Sequence, residues 1–335
     1  MSETRNIEDM AKVLSELIFT TFGWEKVGPQ NQDWDCVERE KHSKVKAKTH
    51  PSDAVFHYPE PYLGFDVYLN TDLKSYGSGS INKSSLVPHL RHLAQAVECA
   101  NKSPTFAELY AIDATNWRLD GLFFIYNHDG EYDREFDTLL SEINPSEVPI
   151  PTARKLFVVG PSQIEFLDSI ATDISVERGQ GRLPAPEHCG FYYPDLEESK
   201  AQAQKVYSAA TIDMLLGPWV VLRFHMVEQT SVRAGYYFYY RGIGNSVEEF
   251  EYILDYIFTY QLLEDYDQVS IRMPFAVPEA PAMFERAKRR YHEEYWPLAQ
   301  TATANAKTRL SRISCHLISR FKQRFSSIQL GMNHG

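Results

Sequence analysis

Apolar residues recur every three or four positions near the N-terminus, within the stretch IEDMAKVLSELIFTTFGW. This spacing predicts an amphipathic helix, because residues three and four apart share one helix face. The apolar positions are Met10, Val13, Leu14, Leu17, Ile18 and Phe22. Gly23 then supplies a stop signal, so the helix is expected to end just before it.

Polar and mostly apolar positions alternate at 65–74, which predicts a strand because successive side chains of a strand point to opposite faces. One face carries Asp66, Tyr68, Asn70, Asp72 and Lys74, and the other carries Val67, Leu69, Thr71 and Leu73. Further strands are predicted at 34–37 or 45–48, and at 54–58, 106–112 and 122–126. A helix is predicted from Leu86 to about Ala100, capped by Ser84 or Ser85.

The predicted strands would bring three charged residues, Asp53, Asp72 and Lys74, close together. Asp53 precedes Asp72 by 19 positions, and Lys74 follows Asp72 on the same strand face. With Asp53 on a neighbouring strand, two carboxylates and one ammonium are expected to converge. Carboxylate oxygens are hard ligands that suit Mg²⁺ or Mn²⁺, so the arrangement fits metal-dependent phosphodiester cleavage.

The residues Pro51-Ser52-Asp53 followed by Asp72-Leu73-Lys74 resemble the motif of the PD-(D/E)xK nuclease superfamily. Ser52 is a departure, since it separates the proline from the acid, but the proline is not a catalytic group. The resemblance covers roughly residues 5–130. It implies a restriction-endonuclease-like α/β core in which a helix, three strands, a helix and a strand follow one another.

The resemblance also implies roles for individual residues. Asp53, Asp72, the carbonyl of Leu73 and Glu16 on the first helix are the expected ligands of Mg²⁺ or Mn²⁺, and Lys74 is expected to orient the attacking water. Together these side chains form the expected catalytic set. Two plainer readings stay open from the residues themselves. Asp72 and Lys74 also fit a surface ion pair, and Glu16 also fits a solvated glutamate beside the apolar stripe.

Lysines alternate directly before the motif, at Lys44, Lys46 and Lys48. In a strand they would line one side and hold a nucleic-acid backbone next to the metal site. They fit equally well the lysines that protect an edge strand. The net charge of −11 does not suggest a general nucleic-acid binder.

A second basic region lies at the C-terminus, where no Asp or Glu follows Glu294. Its basic residues are Lys307, Arg309, Arg312, Arg320, Lys322 and Arg324, and its apolar residues are Leu310, Ile313, Leu317, Ile318, Phe321 and Phe325. Their spacing predicts a basic amphipathic helix. It would pack on the domain or a second subunit, follow a nucleic-acid backbone, or lie on an anionic membrane.

The length of 335 residues and a hydrophobic content of 43% predict about two domains. We expect a nuclease-like domain over 1–130, an acidic, proline-containing connection over 131–152, a second α/β domain over 153–275 and C-terminal helices over 276–330, with no internal repeat. The second domain carries the aromatic run 236–240. This run fits either a core strand or a surface that stacks on bases or binds a protein ligand.

Other chemistries find little support in the sequence. No run of apolar residues approaches the length of about 18 residues that a membrane-spanning helix needs. Cys36, Cys99, Cys189 and Cys315 form no CxxC pair, which argues against a zinc ribbon and a disulfide framework and fits a reducing cytoplasm. His89 and His92 lack a neighbouring cysteine or carboxylate in the sequence and are interpreted as surface histidines.

These observations favour a cytoplasmic, Mg²⁺-dependent DNA endonuclease. The resemblance implies, by analogy with nucleases of that superfamily, that it serves as an effector of anti-phage defence. Its expected partners are DNA, a phage-derived or protein trigger that the second domain senses, and a second copy of the chain in a homodimer. Two alternatives are a nuclease of DNA repair and a catalytically silent nuclease-like fold that acts as a scaffold.

Overall fold

The structure is a computed structural model that describes residues 2–42, 48–62, 64–112, 116–194, 208–227, 232–263, 267–295 and 308–320. The chain divides into two compact units, the first extending to Glu165 and the second beginning at Phe166. Each contains a five-stranded sheet with helices packed against it. Among the helices in the described ranges, none has the length and apolar character that crossing a membrane requires.

The first unit contains the predicted core elements together with several short elements that the sequence analysis does not predict. In chain order its elements are α1 (Ser2–Thr21), β1 (Glu25–Val27), β2 (Gln32–Asp35), α2 (Arg39–His42), β3 (Thr49–Ser52), β4 (Ala54–Pro59), β5 (Asp66–Tyr76), α3 (Lys83–Ala100), α4 (Pro104–Leu109), β6 (Trp117–Asn127), α5 (Phe136–Ser141) and β7 (Leu156–Val159). The sheet order is β1-β4-β5-β6-β7. The first three strands pair antiparallel, and β6 and β7 continue in parallel. The predicted core of helix, three strands, helix and strand is therefore confirmed.

Alternate residues of β6 face different helices. Phe124 lies against Phe19 of α1, with 5.8 Å between ring centroids, whereas Phe123 packs in a buried cluster with Leu90 of α3. The strand is thus covered on both faces, as is typical of parallel strands inside a sheet. Asp72 of β5 is in register with Phe123, so the polar face of β5 lies under α3.

The strands β2 and β3 form a separate antiparallel ribbon. Trp34 of β2 is buried and donates a hydrogen bond from Nε1 to Oγ of Ser52 at 2.9 Å. Asp53 follows at a bend before β4, and its backbone N–H donates to the carbonyl of Thr71 on β5 at 3.2 Å. The ribbon therefore delivers Asp53 to the edge of β5.

The predicted strand at 106–112 is wrong, because α4 occupies its first residues. Ser103 caps this helix, since its side chain accepts a hydrogen bond from the backbone N–H of Phe106 at 3.2 Å. Pro104 stands in the first turn, where a missing N–H costs nothing. These local signals begin a helix, and the next strand starts only at Trp117.

The segment after β6 packs into the first unit. Phe136 of α5 and Val148 are buried in the same cluster as the apolar face of α3. The strand at 155–159, which the sequence pattern assigned to the second domain, corresponds to β7 and pairs with β6 in the first sheet. The backbone N–H of Gly121 donates to the carbonyl of Lys155 at 2.9 Å at the start of this pairing. Sequence pattern identifies such a strand but not the sheet that it joins.

The second unit repeats the topology of the first. Its elements are α6 (Pro161–Gly179), which begins just before the division, β8 (Cys189–Phe191), α7 (Ile212–Leu215), β9 (Trp219–Val227), β10 (Val232–Tyr240), α8 (Val247–Thr259), β11 (Gln268–Met273), α9 (Ala280–Tyr295) and β12 (Ile313–Leu317). Here too three antiparallel strands, β8 to β10, are followed by a helix and by strands that continue in parallel. This repetition is present in the strand pairing and was not detected in the sequence.

The aromatic strand β10 belongs to the core on both faces. Tyr236 and Phe238 pack in the buried cluster beneath α8. Tyr237 is buried on the other face, where its hydroxyl donates to Oε2 of Glu177 in α6 at 2.7 Å. The interpretation of this run as a core strand is confirmed, and the rings of these three residues are not exposed for base stacking.

The basic amphipathic helix predicted near the C-terminus is wrong for residues 313–317. These residues form β12, which pairs parallel with β11, with Ile313 in register with Val269. Ile313 is buried, and the strand completes the backbone hydrogen bonding of β11. The tertiary pairing thus overrides the helical spacing. Lys322, Arg324 and the apolar residues from Phe321 onward lie outside the described residues.

The contact between α3 and β6 generates a testable prediction. A Cβ atom at Gly121 would lie 3.0 Å from Cγ of Leu93 and 2.5 Å from Cδ2 of Leu156. We expect Gly121→Ala to lower the free energy of unfolding by about 1–3 kcal/mol through overpacking. Urea denaturation measures this change. Gly79→Ala is the control, because a Cβ there meets nothing within 4 Å, and equal stability of the two variants would contradict the packing.

Candidate active site

A cavity of about 210 Å³ lies between β5 and α3 and contains the predicted motif. Asp53, Asp72 and Lys74 line it, together with His89 and His92 of α3. The convergence expected from the sequence is therefore observed for the two acids and the lysine. Asp53 is placed at the bend before β4, rather than within a strand.

Asp53 is held where β5 extends past the beginning of β4. The last pair between these strands is Ala54 with Thr71. Two residues further along β5, the backbone N–H of Leu73 donates to Oδ2 of Asp53 at 2.8 Å. The carboxylate thus replaces a backbone partner at the unpaired edge of the strand, which fixes its position.

Lys74 joins the two carboxylates. Its Nζ lies 3.5 Å from Oδ2 of Asp53 and forms an ion pair with Oδ1 of Asp72. The same Nζ lies 3.5 Å from the carbonyl oxygen of Leu73. The three side chains are 18–26% exposed, so one ammonium group already contacts three of the four predicted oxygen donors in a largely buried setting.

His89 extends the site from α3. Its Nδ1 lies 3.5 Å from Oδ2 of Asp72, and its ring stacks on Phe123 at 5.8 Å between centroids. The interpretation as a surface histidine is corrected for His89, whose imidazole lies beside the carboxylate of Asp72. His92 lines the same cavity but is exposed, as the sequence analysis expects. Their spacing of three residues, on the helix that directly follows the motif strand, was the available signal.

Electrostatics distinguishes the two carboxylates. Burial raises the pKa of Asp53 above its ordinary value, against the opposing charge of Lys74. Burial acts in the same direction on Asp72, but hydrogen bonds from His89 and Lys74 prevail and hold the pKa of Asp72 below its ordinary value. Burial alone would lower the pKa of Lys74, but both acids raise it, so the lysine is charged.

Glu16 has a different partner in the structure. Its Oε2 accepts a hydrogen bond from Nζ of Lys26 on β1 at 2.7 Å, and the residue is not among those that line the cavity. Lys12, one turn earlier on α1, is the residue of that helix whose charge lowers the pKa of Asp53. A ligand role for Glu16 stays a prediction.

Of the three predicted nucleic-acid-binding lysines, Lys48 is among the described residues. Lys44 and Lys46 lie outside the described residues. Lys48 is exposed, and its backbone carbonyl accepts a hydrogen bond from the backbone N–H of Cys36 at 3.0 Å. A binding role for these lysines stays a prediction.

The donor set suits a hard divalent cation. Two carboxylates and the carbonyl oxygen of Leu73 converge on Nζ of Lys74, and such oxygen ligands favour Mg²⁺ or Mn²⁺ over softer metals. Asp53, Asp72 and the carbonyl of Leu73 are therefore the residues that would hold such an ion.

Comparison with known proteins identifies the class of domain that contains this cavity. Residues 1–163 match the family model described as the GAPS4 protein PD-(D/E)XK nuclease domain. The resemblance is confirmed for the N-terminal part of the chain. The match supports a nuclease, a hydrolase of a class that generally uses divalent metals. The search of curated proteins found no match, and neither did the search of solved structures.

The contrast between the two acids predicts opposite effects of neutralising them in metal-free protein. Asp72→Asn should lower the free energy of unfolding by about 1–3 kcal/mol, because charge-assisted hydrogen bonds are removed. Asp53→Asn should leave it unchanged or raise it, because burial disfavours the charge. Urea denaturation at neutral pH in EDTA measures both, and equal losses of stability in the two variants would contradict the assigned charges.

The pH dependence of Asp72 follows the same reasoning. Its pKa in the folded protein lies below the ordinary value of 3.8, so its charge stabilises the fold above that pH. The stabilisation is lost as the pH falls through the folded value. The difference in stability between the wild type and Asp72→Asn should therefore shrink in acid, provided that both remain folded.

Proposed function

We propose that the protein is a metal-dependent DNA endonuclease that hydrolyses phosphodiester bonds. The observation that carries the proposal is the convergence of Asp53, Asp72 and Lys74 on one cavity, within a unit that matches a PD-(D/E)XK nuclease domain. A surface ion pair between Asp72 and Lys74 needs no third partner, whereas the cavity also holds Asp53 and two histidines.

In the proposed hydrolysis, three residues bind the metal ion and the lysine acts on the water and the phosphate. Asp53, Asp72 and the carbonyl of Leu73 would hold Mg²⁺ or Mn²⁺, which when bound polarises the scissile phosphate and lowers the pKa of a bound water. Lys74 orients the attacking water and offsets the negative charge that develops on the phosphate in the transition state. Its charged state, maintained by both acids, suits that task.

His89 acts as a positioning residue. It contacts Oδ2 of Asp72, while Lys74 contacts Oδ1, so both carboxylate oxygens have a fixed direction. Groups that orient a metal ligand in this way commonly raise metal affinity. Phe123, stacked on His89, limits how far the imidazole can move.

We further propose that the second unit serves as a sensor or specificity domain, and that the protein acts in anti-phage defence. The support is analogy, since a solitary nuclease domain fused to an unfamiliar domain resembles the effectors of anti-phage defence. The second unit repeats the strand order of the first. Its strand β10, in the place of β5, carries the run VRAGYYFYY and has no acid-x-Lys motif.

The enzymatic proposal predicts metal-dependent cleavage. The full-length protein should cut plasmid DNA with Mg²⁺ and not with EDTA, and Asp72→Ala should lose at least about a hundredfold in rate, since both ligand and charge are removed. Asp66→Asn is the matched control. It removes an acid from the same face of β5 and lies outside the cavity lining. Gel electrophoresis of supercoiled, nicked and linear forms gives the rates.

Two results would contradict the nuclease. One is an Asp72→Ala protein as active as the wild type. The other is a folded wild type that cleaves neither duplex DNA, single-stranded DNA nor RNA and gains no thermal stability from Mg²⁺. The latter result would favour the catalytically silent scaffold.

A second prediction concerns DNA affinity. Replacing Lys44, Lys46 and Lys48 by Gln should weaken binding to all sequences alike, and should flatten the dependence of log K on log salt by about 0.9 for each phosphate that the protein no longer neutralises. Fluorescence anisotropy at several salt concentrations measures this slope. The control removes two exposed charges from α9, Arg286 and Arg289. An unchanged salt dependence in the lysine variant would show that Lys44, Lys46 and Lys48 do not contact phosphates, as expected of lysines that protect an edge strand.

A further inference from the structure

Four residues that the nuclease proposal does not use meet beside the ribbon. Cys36 follows β2, His42 ends α2, His50 lies in β3 and Cys99 lies near the end of α3. All four are buried, and one potential ligand atom from each lies within 4.8 Å of the others. The set comprises two thiols and two imidazoles, the groups that most often bind zinc in proteins.

The measured separations fit one tetrahedral centre. Ligands at about 2.3 Å for sulfur and about 2.0–2.1 Å for nitrogen require about 3.8 Å between two sulfurs and about 3.5 Å between sulfur and nitrogen. The two Sγ atoms are 3.7 Å apart, and Nδ1 of His42 lies 3.5 Å from each of them. Three of the four ligands therefore already have the spacing that a bound zinc ion imposes.

The fourth candidate ligand, His50, has a buried ring nitrogen that no described residue satisfies. His50 is 6% exposed, and its buried Nε2 has no hydrogen-bond partner among the residues that the structure describes. An unpaired buried nitrogen is costly. Its ring lies 5.4 Å from the ring of His42 between centroids, so a shared metal ion would satisfy a polar atom that the protein otherwise leaves unpaired.

Surrounding groups orient the ligands as they do in known zinc sites. Nε2 of His42 lies 3.2 Å from Oε2 of Glu98, which leaves Nδ1 directed at the two sulfurs. Lys41 pairs with the other oxygen of Glu98. A carboxylate behind a histidine ligand is the usual arrangement around zinc.

We propose that Cys36, His42, His50 and Cys99 bind one zinc ion as a closed, structural Cys₂His₂ site. Two thiolates balance the charge of Zn²⁺, and a neutral centre suits the apolar cluster that contains both cysteines and Trp34. Four protein ligands leave no open position for substrate, which distinguishes this site from a catalytic zinc centre.

The zinc site ties the ribbon to α3 at a point close to the candidate active site. His50 stands three residues before Asp53 in the chain, and Cys99 is on the same helix as His89. His42 and His50 also flank the segment that carries Lys44, Lys46 and Lys48 in sequence. The ion thereby restrains both ends of the basic segment and the approach of Asp53 to β5.

Metal analysis of the full-length protein tests the proposal. After dialysis against EDTA to remove weakly held ions, wild-type protein should retain about one equivalent of zinc by inductively coupled plasma mass spectrometry. Cys99→Ser should lose it, whereas Cys189→Ser and Cys315→Ser should keep it, since neither cysteine belongs to the cluster. Asp72→Ala should also keep its zinc, which separates this result from the outcome of the nuclease test.

Because removal of a ligand can prevent folding, two measurements leave the four ligands intact. X-ray absorption at the zinc edge of the wild type should show two sulfur and two nitrogen neighbours at about 2.3 and 2.0 Å. Glu98→Gln should weaken zinc binding about 10- to 100-fold in a chelator competition, with the fold retained.

Three outcomes would overturn the site. They are a folded wild type without zinc when it is produced with zinc in the medium, a Cys36–Cys99 disulfide in the protein isolated under reducing conditions, or a zinc ion with oxygen neighbours in place of sulfur. The last outcome would place the metal at the carboxylates, and Asp72→Ala would then lose it.

Discussion

The packing of α3 across β5 and β6 is the contact on which the first unit depends. Parallel strands need a crossover, and this helix supplies it. Its 18 residues span about 27 Å, so one rigid element reaches from His89 above Asp72 to Cys99 beside Cys36. Gly121 permits the close approach, since a side chain there would collide with Leu93.

The charges of the candidate active site explain why a cation suits it. Two carboxylates at close range repel each other, and removing them from water adds to the cost of ionising them. Lys74 offsets one negative charge and contacts both acids. Burial still raises the pKa of Asp53, so the pair remains short of positive charge. A divalent ion would supply it, with the carbonyl of Leu73 as a third oxygen ligand.

The two units show how one strand order supports different interiors. In the first, the polar face of β5 lies under α3 and carries Asp72 and Lys74. In the second, the aromatic strand β10 is buried on both faces. Asp173 and Glu177 of α6 accept hydrogen bonds from the hydroxyl groups of its tyrosines. Arg272 forms a two-pronged ion pair with Asp173 there, at 2.6 and 2.7 Å. These groups satisfy one another within the core, so the topology alone does not specify a nuclease.

Local sequence patterns determined the first helix, the crossover helix and the motif strand with Asp72 and Lys74 on one face, because those depend on side-chain periods of two and 3.6 residues. The position of Asp53 beside them depends on the pairing of β4 with β5 and on the hydrogen bond from Leu73. Which sheet a strand joins depends on distant partners, and so β7 and β12 were assigned only by the tertiary structure. The same holds for Cys36 and Cys99, which are 63 positions apart, and for His89 over Asp72. Contacts between elements far apart in the chain leave no periodic signal, because packing rather than local spacing creates them.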